Sequence, residues 1–198
     1  PLGEKISEGY PYSKFEASAK TDQSSVIAAT GSHPFLVADL PRLRGTKTPF
    51  VVVTATGREA QEMLDFLEEY DPDFELIEYP SWETLPHERL SPSSETVGKR
   101  LRALTRLIEL GKKPADHPVF VVMSVRACLQ PVHSKLLDHP AMDIYAGREY
   151  SLAELPLKLI ELGYERVDMV GGRGEFAIRG GIVDVFPVTH EFPLRLEF

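Results

Sequence analysis

Residues 176–187 read FAIRGGIVDVFP, two short apolar runs on either side of a Gly-Gly pair. A glycine pair between β-prone runs is typical of a tight hairpin, because such a turn needs a positive φ that glycine adopts without strain. Pro187 ends the second run, since proline cannot donate a hydrogen bond to a ladder. The pattern therefore predicts a hairpin, and the guanidinium of Arg179 beside its turn is a candidate for protein docking.

The composition excludes several classes of protein. The 198 residues are 42% hydrophobic and 26% charged, an ordinary balance for a globular chain. The formal net charge of −8 does not indicate nucleic-acid binding through a strongly basic surface. The single cysteine, Cys128, allows no disulfide within the chain. The single cysteine fits a reducing cytoplasm, the N-terminus lacks the basic and then apolar pattern of a signal peptide, and no run of about 18 apolar residues predicts a membrane span. We therefore predict a cytoplasmic protein.

Strand-like and helical patterns alternate four times between residues 24 and 140, after a polar segment at 1–23 that we interpret as a helix or arm. This alternation predicts an α/β domain with a largely parallel sheet and right-handed crossovers. Thr56 and Glu59 form a capping box before the second helix, and the strand at 50–54 is apolar on both faces, as if covered by helices. The predicted strands are residues 25–29, 50–54, 74–79 and 119–123.

A strand, a glycine turn and a helix, predicted here over residues 25–40, are the frame of a phosphate-binding loop. That loop also needs further glycines, a lysine for the phosphates and a serine or threonine for magnesium. After Gly31 this chain has no lysine, and Pro34 removes a backbone donor where the anion would bind. We therefore predict an ordinary turn that neither binds nor hydrolyses a nucleotide, and no cofactor for this chain.

A proline-rich loop at residues 80–92 contains the only tryptophan, Trp82. Loops of this length in compact domains are typically functional or packed as Ω-loops. Glu83, His87 and Glu88 in the loop suggest a metal site, but their spacing matches no standard ligand set. We interpret them as solvated charges.

The next helix is predicted to run from an N-cap at Ser91 to Leu110, with Gly111 as its C-cap. One of its faces is apolar, and the other is basic. A basic helix face is usually solvated, with contact to DNA phosphates as the alternative. The basic residues are Lys99, Arg100, Arg102 and Arg106.

The pattern changes near Pro140. Residues 142–145 predict a strand, and Ser151 begins a capping box for a helix that ends at Gly163. Short strands joined by glycine and proline then predict a separate α+β domain with an antiparallel sheet. Because the chain stops within an alternating strand at 194–198, we interpret it as a fragment of a longer protein.

Three stretches resemble the bacterial transcription-repair coupling factors (Mfd). SWETLPHE at 81–88, with Ser91 and Pro92, resembles a hallmark loop of the family, and GYERVD at 163–168 resembles the entry to its second domain. GEFAIRGGIVDVFP at 174–187 resembles a segment that the family shares with the excision-repair helicase UvrB. Over residues 24–198 the chain is identified as similar to the amino-terminal UvrB-like region of this family.

The resemblance implies a degenerate helicase-like domain of the P-loop type at 24–140 and a truncated UvrA-binding α+β domain at 141–198. It implies a non-catalytic adaptor that recruits UvrA for transcription-coupled nucleotide excision repair. In the full-length protein, parts outside this chain would bind RNA polymerase and DNA and would use ATP and magnesium to translocate on DNA and displace stalled polymerase. The alternatives are a UvrB-type nucleotide-dependent helicase module, which would need an intact phosphate loop, and a structural domain without a partner.

The resemblance also implies docking residues. Arginines at the positions of Arg179 and Arg195 bind UvrA in the family, helped by a phenylalanine in the position after Phe198. Phe198 is the immediate neighbour of that position, and we take it as the third candidate docking residue. If the hairpin and the last strand share an antiparallel sheet, both guanidinium groups can lie on one face and pair bidentately with carboxylates. The alternative is that both are solvated or paired within the chain. The available carboxylates are those of Glu175, Asp184 and Glu197.

Overall fold

The computed structural model describes residues 10–23, 25–45, 47–84, 91–132 and 142–198, and the chain divides into two compact units. The first unit comprises Pro1–Ser81 and Ala103–Leu129, and the second comprises Trp82–Arg102 and Gln130–Phe198. The domain bounds at 1–23, 24–140 and 141–198 stay predictions.

The first unit alternates helices and strands. Within the described residues, its first elements are helix α1, a short 3-10 turn at Thr30–Ser32 and two short helices, and its last are strand β3 and helix α6. The elements are α1 (Tyr10–Ala19), α2 (His33–Ala38), α3 (Leu40–Arg44), β1 (Phe50–Thr54), α4 (Gly57–Tyr70), β2 (Glu75–Tyr79), α5 (Ser94–Lys112), β3 (Val119–Ser124) and α6 (Val125–Leu129). Only the residues of α5 from Ala103 onward belong to this unit.

The three strands form the predicted parallel sheet, in the order β1-β3-β2. Phe120 in the central strand pairs with Phe50 on one side and Leu76 on the other. Phe120 and Val121 are both fully buried, because β3 is covered on both faces, as is usual for parallel strands. Phe120 belongs to the cluster around α4, and Val121 belongs to the cluster around the second half of α5.

The capping box predicted at the start of α4 is confirmed. The backbone N–H of Glu59 donates to the Oγ1 atom of Thr56 over 3.1 Å. The Glu59 carboxylate in turn accepts a hydrogen bond from the N–H of Ala55, also over 3.1 Å, which is one residue before the usual position of that bond.

Two predictions for the first unit are wrong. Residues 25–29 are not a strand, because an apolar run becomes a strand only where it finds an edge to pair with, and this run pairs with no described strand. Ile27 is accordingly fully exposed. Strand β1 is not covered on both faces either: it is an edge strand, and Val51 and Val53 are 60% and 47% exposed.

The ends of α5 also differ from the prediction. The residue that caps its start is Ser93 rather than Ser91, because the Oγ atom of Ser93 accepts a hydrogen bond from the N–H of Thr96 over 3.2 Å. At the other end the helix continues through Gly111 to Lys112. Gly111 therefore lies within the helix, and it lacks the positive φ of a C-cap glycine.

The second unit is built on a four-stranded sheet in the order β4-β5-β6-β7. The predicted hairpin is confirmed, with Gly180 at φ +59° in a two-residue turn between β5 and β6. The expectation of a purely antiparallel sheet is wrong at β4, which pairs parallel with β5. The elements are α7 (Leu155–Glu161), β4 (Glu165–Arg166), β5 (Glu175–Arg179), β6 (Ile182–Val185) and β7 (Leu194–Glu197).

Residues 142–145 keep the predicted alternation but do not form the predicted strand. Met142 and Ile144 pack against the core of the second unit, whereas Asp143 and Tyr145 are exposed. The predicted strand is wrong because the segment pairs with no strand in the described parts of the chain. The following helix α7 also begins three residues later than predicted.

The mixed α/β class is confirmed, whereas descent of the first unit from a P-loop helicase stays a prediction. The turn at Thr30–Ser32 leads directly into α2, where Pro34 lies in the first helical turn. In the described part of the chain, none of the helices is both long and apolar enough to cross a membrane.

Candidate functional site

Arg179 and Arg195 lie on the same face of the sheet in the second unit. Arg195 on β7 is directly opposite Asp184 on β6, and Arg179 on β5 is opposite Ile182. Residues directly opposite in antiparallel strands share a face, and alternate residues along a strand do too. The register therefore places both arginines on one face, here called the arginine face.

The other face of this sheet makes the core and keeps the arginine face rigid. Phe176 and Val183 are fully buried there against Leu155 and Leu159 of α7. Alternation then directs the side chains of the neighbouring positions away from that core. The arginine face is thus supported by packed strands rather than by a loop.

Arg195 is paired within the chain. Its Nε atom lies 2.7 Å from Oδ1 of Asp184 and its Nη2 atom lies 2.9 Å from Oδ2, so the pair is bidentate. The hydrogen bond from Arg195 lowers the pKa of Asp184, and the same bond raises the pKa of Arg195. The side chain of Arg195 remains 61% exposed while that of Asp184 is 24% exposed. Among the described residues, Asp184 is therefore the candidate carboxylate that forms an ion pair with Arg195.

Arg179 has a neutral partner. Its Nη2 atom donates to the backbone carbonyl oxygen of Asp168 over 2.8 Å. Glu175 on the same strand is engaged elsewhere, because its carboxylate accepts hydrogen bonds from the N–H groups of Gly171 and Gly172, each over 2.8 Å. Those two bonds lower the pKa of Glu175. Arg179 therefore forms no ion pair in the described part of the chain, although its charge acts on Asp184 and helps to lower the pKa of that carboxyl group.

Phe198 does not join the two arginines. Its N–H donates to the carbonyl oxygen of Gly181 over 2.9 Å, which continues the β6–β7 ladder by one residue. Alternation places Phe198 on the side of Leu196, which packs against the core, and a residue in the next position would lie on the arginine face. The residue is 47% exposed.

Sequence reasoning missed a cleft beside the edge strand β7. The cleft has a volume of about 830 Å³ and lies between residues 144–150 and residues 195–198. The Arg148 guanidinium lies 4.8 Å from the centre of the Tyr145 ring, a cation–π contact. The sequence signal was present as two tyrosines around the turn at Gly147, which has φ +80°.

The basic residues of α5 do not form the solvated row that was predicted. Arg100 is only 2% exposed, and its guanidinium lies 4.3 Å from the centre of the Trp82 ring. Arg106 forms a bidentate pair with Glu75, with contacts of 2.5 and 2.9 Å. At least two of the four cations are therefore committed within the chain, which weakens the case for a phosphate-binding face.

Glu83 anchors its loop to the start of α5. Its carboxylate accepts hydrogen bonds from the hydroxyl groups of Ser93 and Thr96, and these bonds lower its pKa to about 2. His87 and Glu88, the other members of the considered metal set, lie outside the described residues. Among the residues that are described, no group of three or more potential ligands could hold a metal ion.

Comparison with known proteins agrees with the resemblance seen in the sequence. Residues 142–198 match the family model of the UvrB interaction domain. The chain is 43% identical over 183 residues to the transcription-repair-coupling factor of Mycobacterium bovis, 36% identical over 154 residues to that of Bacillus subtilis and 32% identical over 150 residues to that of Escherichia coli. These alignments cover 92%, 77% and 76% of this chain.

The same alignments cover only 14%, 12% and 12% of the relatives, so the chain spans a small part of their length. Within that part the similarity extends across both units, and the arginine face lies inside the segment matched by the family model. The chain therefore belongs to the family of transcription-repair-coupling factors and carries a UvrB interaction domain at residues 142–198.

Proposed function

We propose that this chain is a non-catalytic adaptor that recruits UvrA through the arginine face of its second unit. The observation that carries the proposal is the register of β5, β6 and β7, which brings Arg179 and Arg195 onto one face of a packed sheet. Both arginines lie in the segment that matches the UvrB interaction domain. Guanidinium groups on a rigid support suit the recognition of carboxylates on a partner protein.

The two arginines differ in the charge that they offer. Arg179 donates to a neutral carbonyl oxygen and forms no ion pair among the described residues, so its charge is offset only at a distance, by Asp184. Arg195 presents an exposed guanidinium whose charge is offset by Asp184. Central, desolvated arginines are frequent hot spots of protein interfaces, and truncation of one costs on the order of 2–4 kcal/mol.

The catalytic activity of a full-length relative is a separate matter from the role proposed for this chain. A full-length relative would translocate on DNA with ATP and magnesium and act on RNA polymerase in the cytoplasm, through parts that this chain does not contain. For this chain we propose no catalysis. The segment after Ala29 has no lysine to bind phosphates, and Pro34 in the first turn of α2 removes a backbone donor.

The test is a pull-down of UvrA with the wild-type chain, Arg179→Ala and Arg195→Ala, with circular dichroism to confirm folding. Arg58→Ala is the matched control, because Arg58 is an 87% exposed arginine on the first unit. We expect capture by the wild type and by Arg58→Ala, and reduced capture by the other two. An arginine whose folded alanine variant captures UvrA as well as the wild type does is not a docking residue. If both variants do so, the docking face lies elsewhere.

A further inference from the structure

We propose that Asp184 is a positioning residue for the partner: it holds one edge of the Arg195 guanidinium so that the other edge can bind a carboxylate of UvrA. This inference rests on the proposed function and deepens it. It assigns a role in recognition to an acidic residue at the centre of a surface that is meant to bind acidic groups.

The geometry of the pair leaves part of Arg195 available. A guanidinium carries five N–H donors in a fixed plane, and Asp184 engages one donor on Nε and one on Nη2. The remaining donors, on Nη1 and the outer side of Nη2, point away from Asp184. Because the Arg195 side chain is 61% exposed, those donors are open to a second carboxylate.

Asp184 is well placed to hold this fork. It lies on β6, between β5 and β7, and directly opposite Arg195, and only 24% of its side chain is exposed. A free arginine side chain loses much rotamer freedom when a partner immobilises it. Here the unbound chain already restricts that freedom, which is the usual benefit of preorganisation.

The opposite role for Asp184 predicts an opposite result. If Asp184 merely competed with the partner for Arg195, its neutralisation would release the arginine and tighten binding. If Asp184 positions Arg195, neutralisation of Asp184 leaves the positive charge of Arg195 in place but frees the arginine side chain, and UvrA binding weakens. The sign of the change in affinity therefore separates the two roles.

The experiment is isothermal titration of UvrA with the wild-type chain, Asp184→Asn and Asp143→Asn. Asp143 is the matched control, because it is an exposed aspartate of the second unit that lies outside the strands of the arginine face, while the change in charge is the same. We expect Asp184→Asn to weaken binding roughly fivefold to twentyfold and Asp143→Asn to bind as well as the wild type. Equal or tighter binding by Asp184→Asn, or equal weakening by both variants, would overturn the proposal.

A double variant tests whether Asp184 acts through Arg195. We expect Asp184→Asn combined with Arg195→Ala to bind no more weakly than Arg195→Ala alone, since a positioning residue has nothing left to position. Further loss in the double variant would show an independent role and would contradict the proposal. Asp184→Glu, which keeps the carboxylate, should recover part of the affinity.

A measurement without the partner separates failure of this inference from failure of the proposed function. The Nε–H signal of Arg195 in nuclear magnetic resonance reports the mobility of the side chain in the unbound protein. We expect it to be more ordered in the wild type than in Asp184→Asn. Equal mobility would sink the positioning role even if UvrA binds, whereas a well-ordered Arg195 in a chain that does not bind UvrA would refute only the proposed function.

Discussion

Gly98 in the first half of α5 has no room for a side chain. A Cβ atom at this position would lie 1.8 Å from the backbone carbonyl oxygen of Val188 and 2.8 Å from its carbonyl carbon. Both residues belong to the second unit. The obstacle is backbone, so it cannot rotate aside as the tip of a long side chain could.

We expect Gly98→Ala to lower the free energy of unfolding by about 1–2 kcal/mol, the net of a clash in the upper part of the usual range and the gain in helix preference. Overpacking of this kind typically costs about 1–3 kcal/mol, occasionally more. Part of the cost is offset, since alanine is favoured over glycine in a helix interior by roughly 1 kcal/mol. Separation of the Cβ atom from the carbonyl oxygen to about 3 Å needs a shift of more than 1 Å, which is why we expect the clash to outweigh the helical preference.

Urea unfolding followed by the fluorescence of Trp82 is the appropriate assay, because the single tryptophan lies in the second unit. Gly111→Ala is the matched control on the same helix, since a Cβ atom there would meet nothing within 4 Å. It should raise stability by about 0.5–1 kcal/mol through helix preference alone, a change best followed by circular dichroism. A Gly98→Ala variant that is as stable as the wild type, or more so, would refute the close approach of α5 and Val188.

Three further predictions concern titration and ligand binding. The hydrogen bonds that lower the pKa of Glu83 to about 2 should stabilise the fold fully above pH 4.5, the ordinary pKa of the group, and this stabilisation should be lost as the pH falls toward 2. In Glu83→Ala the free energy of unfolding should therefore change less between pH 4.5 and 2 than in the wild type. At neutral pH the variant should be less stable by about 1 kcal/mol. Hydrogen bonds to Glu75 and Asp116 raise the pKa of His117 above its ordinary value of 6.5. The stabilisation of the fold by these bonds should therefore be complete below pH 6.5 and lost as the pH rises through the raised pKa. A pKa below 6.5, measured by nuclear magnetic resonance titration of the His117 ring, would contradict this. Isothermal titration with Mg-ATP should give no heat, and a micromolar dissociation constant would favour the UvrB-type helicase module instead.

Local signals predicted the hairpin and the capping box of α4 correctly. The turn at Gly180 requires a positive φ at one residue. The glycine pair at residues 180–181 shows in the sequence itself that this backbone conformation is accessible there. The capping box is likewise a contact between Thr56 and Glu59, three residues apart. Features of this kind depend on neighbours in sequence and can be read without a structure.

The wrong predictions depended on partners far away in sequence. Residues 25–29 and 142–145 carry strand-like patterns, but a strand also needs an edge to pair with, and the sequence does not state where that edge is. The cap of α5 is similar. Ser91 and Ser93 are both suitable residue types, and Ser93 is the one that also donates to Glu83, ten residues away.

The candidate site was predictable in part. That Arg179 and Arg195 can share a face follows from alternation once the strands are joined in one sheet. That Asp184 rather than Glu175 or Glu197 pairs with Arg195 depends on the register of β6 and β7, which the long connection between them leaves open in the sequence. The hydrogen bonds from the N–H groups of Gly171 and Gly172 to Glu175 could not be predicted from the sequence pattern either.

The central claim is that UvrA binds the arginine face of the second unit. Hydrogen–deuterium exchange of the chain with and without UvrA tests it most directly, because it maps the contact without any substitution. We expect slower exchange on binding in peptides that cover residues 175–198 and unchanged exchange in peptides that cover β1, α4 and β2. Protection confined to those first-unit elements, with residues 175–198 unaffected in a complex that does form, would contradict the account.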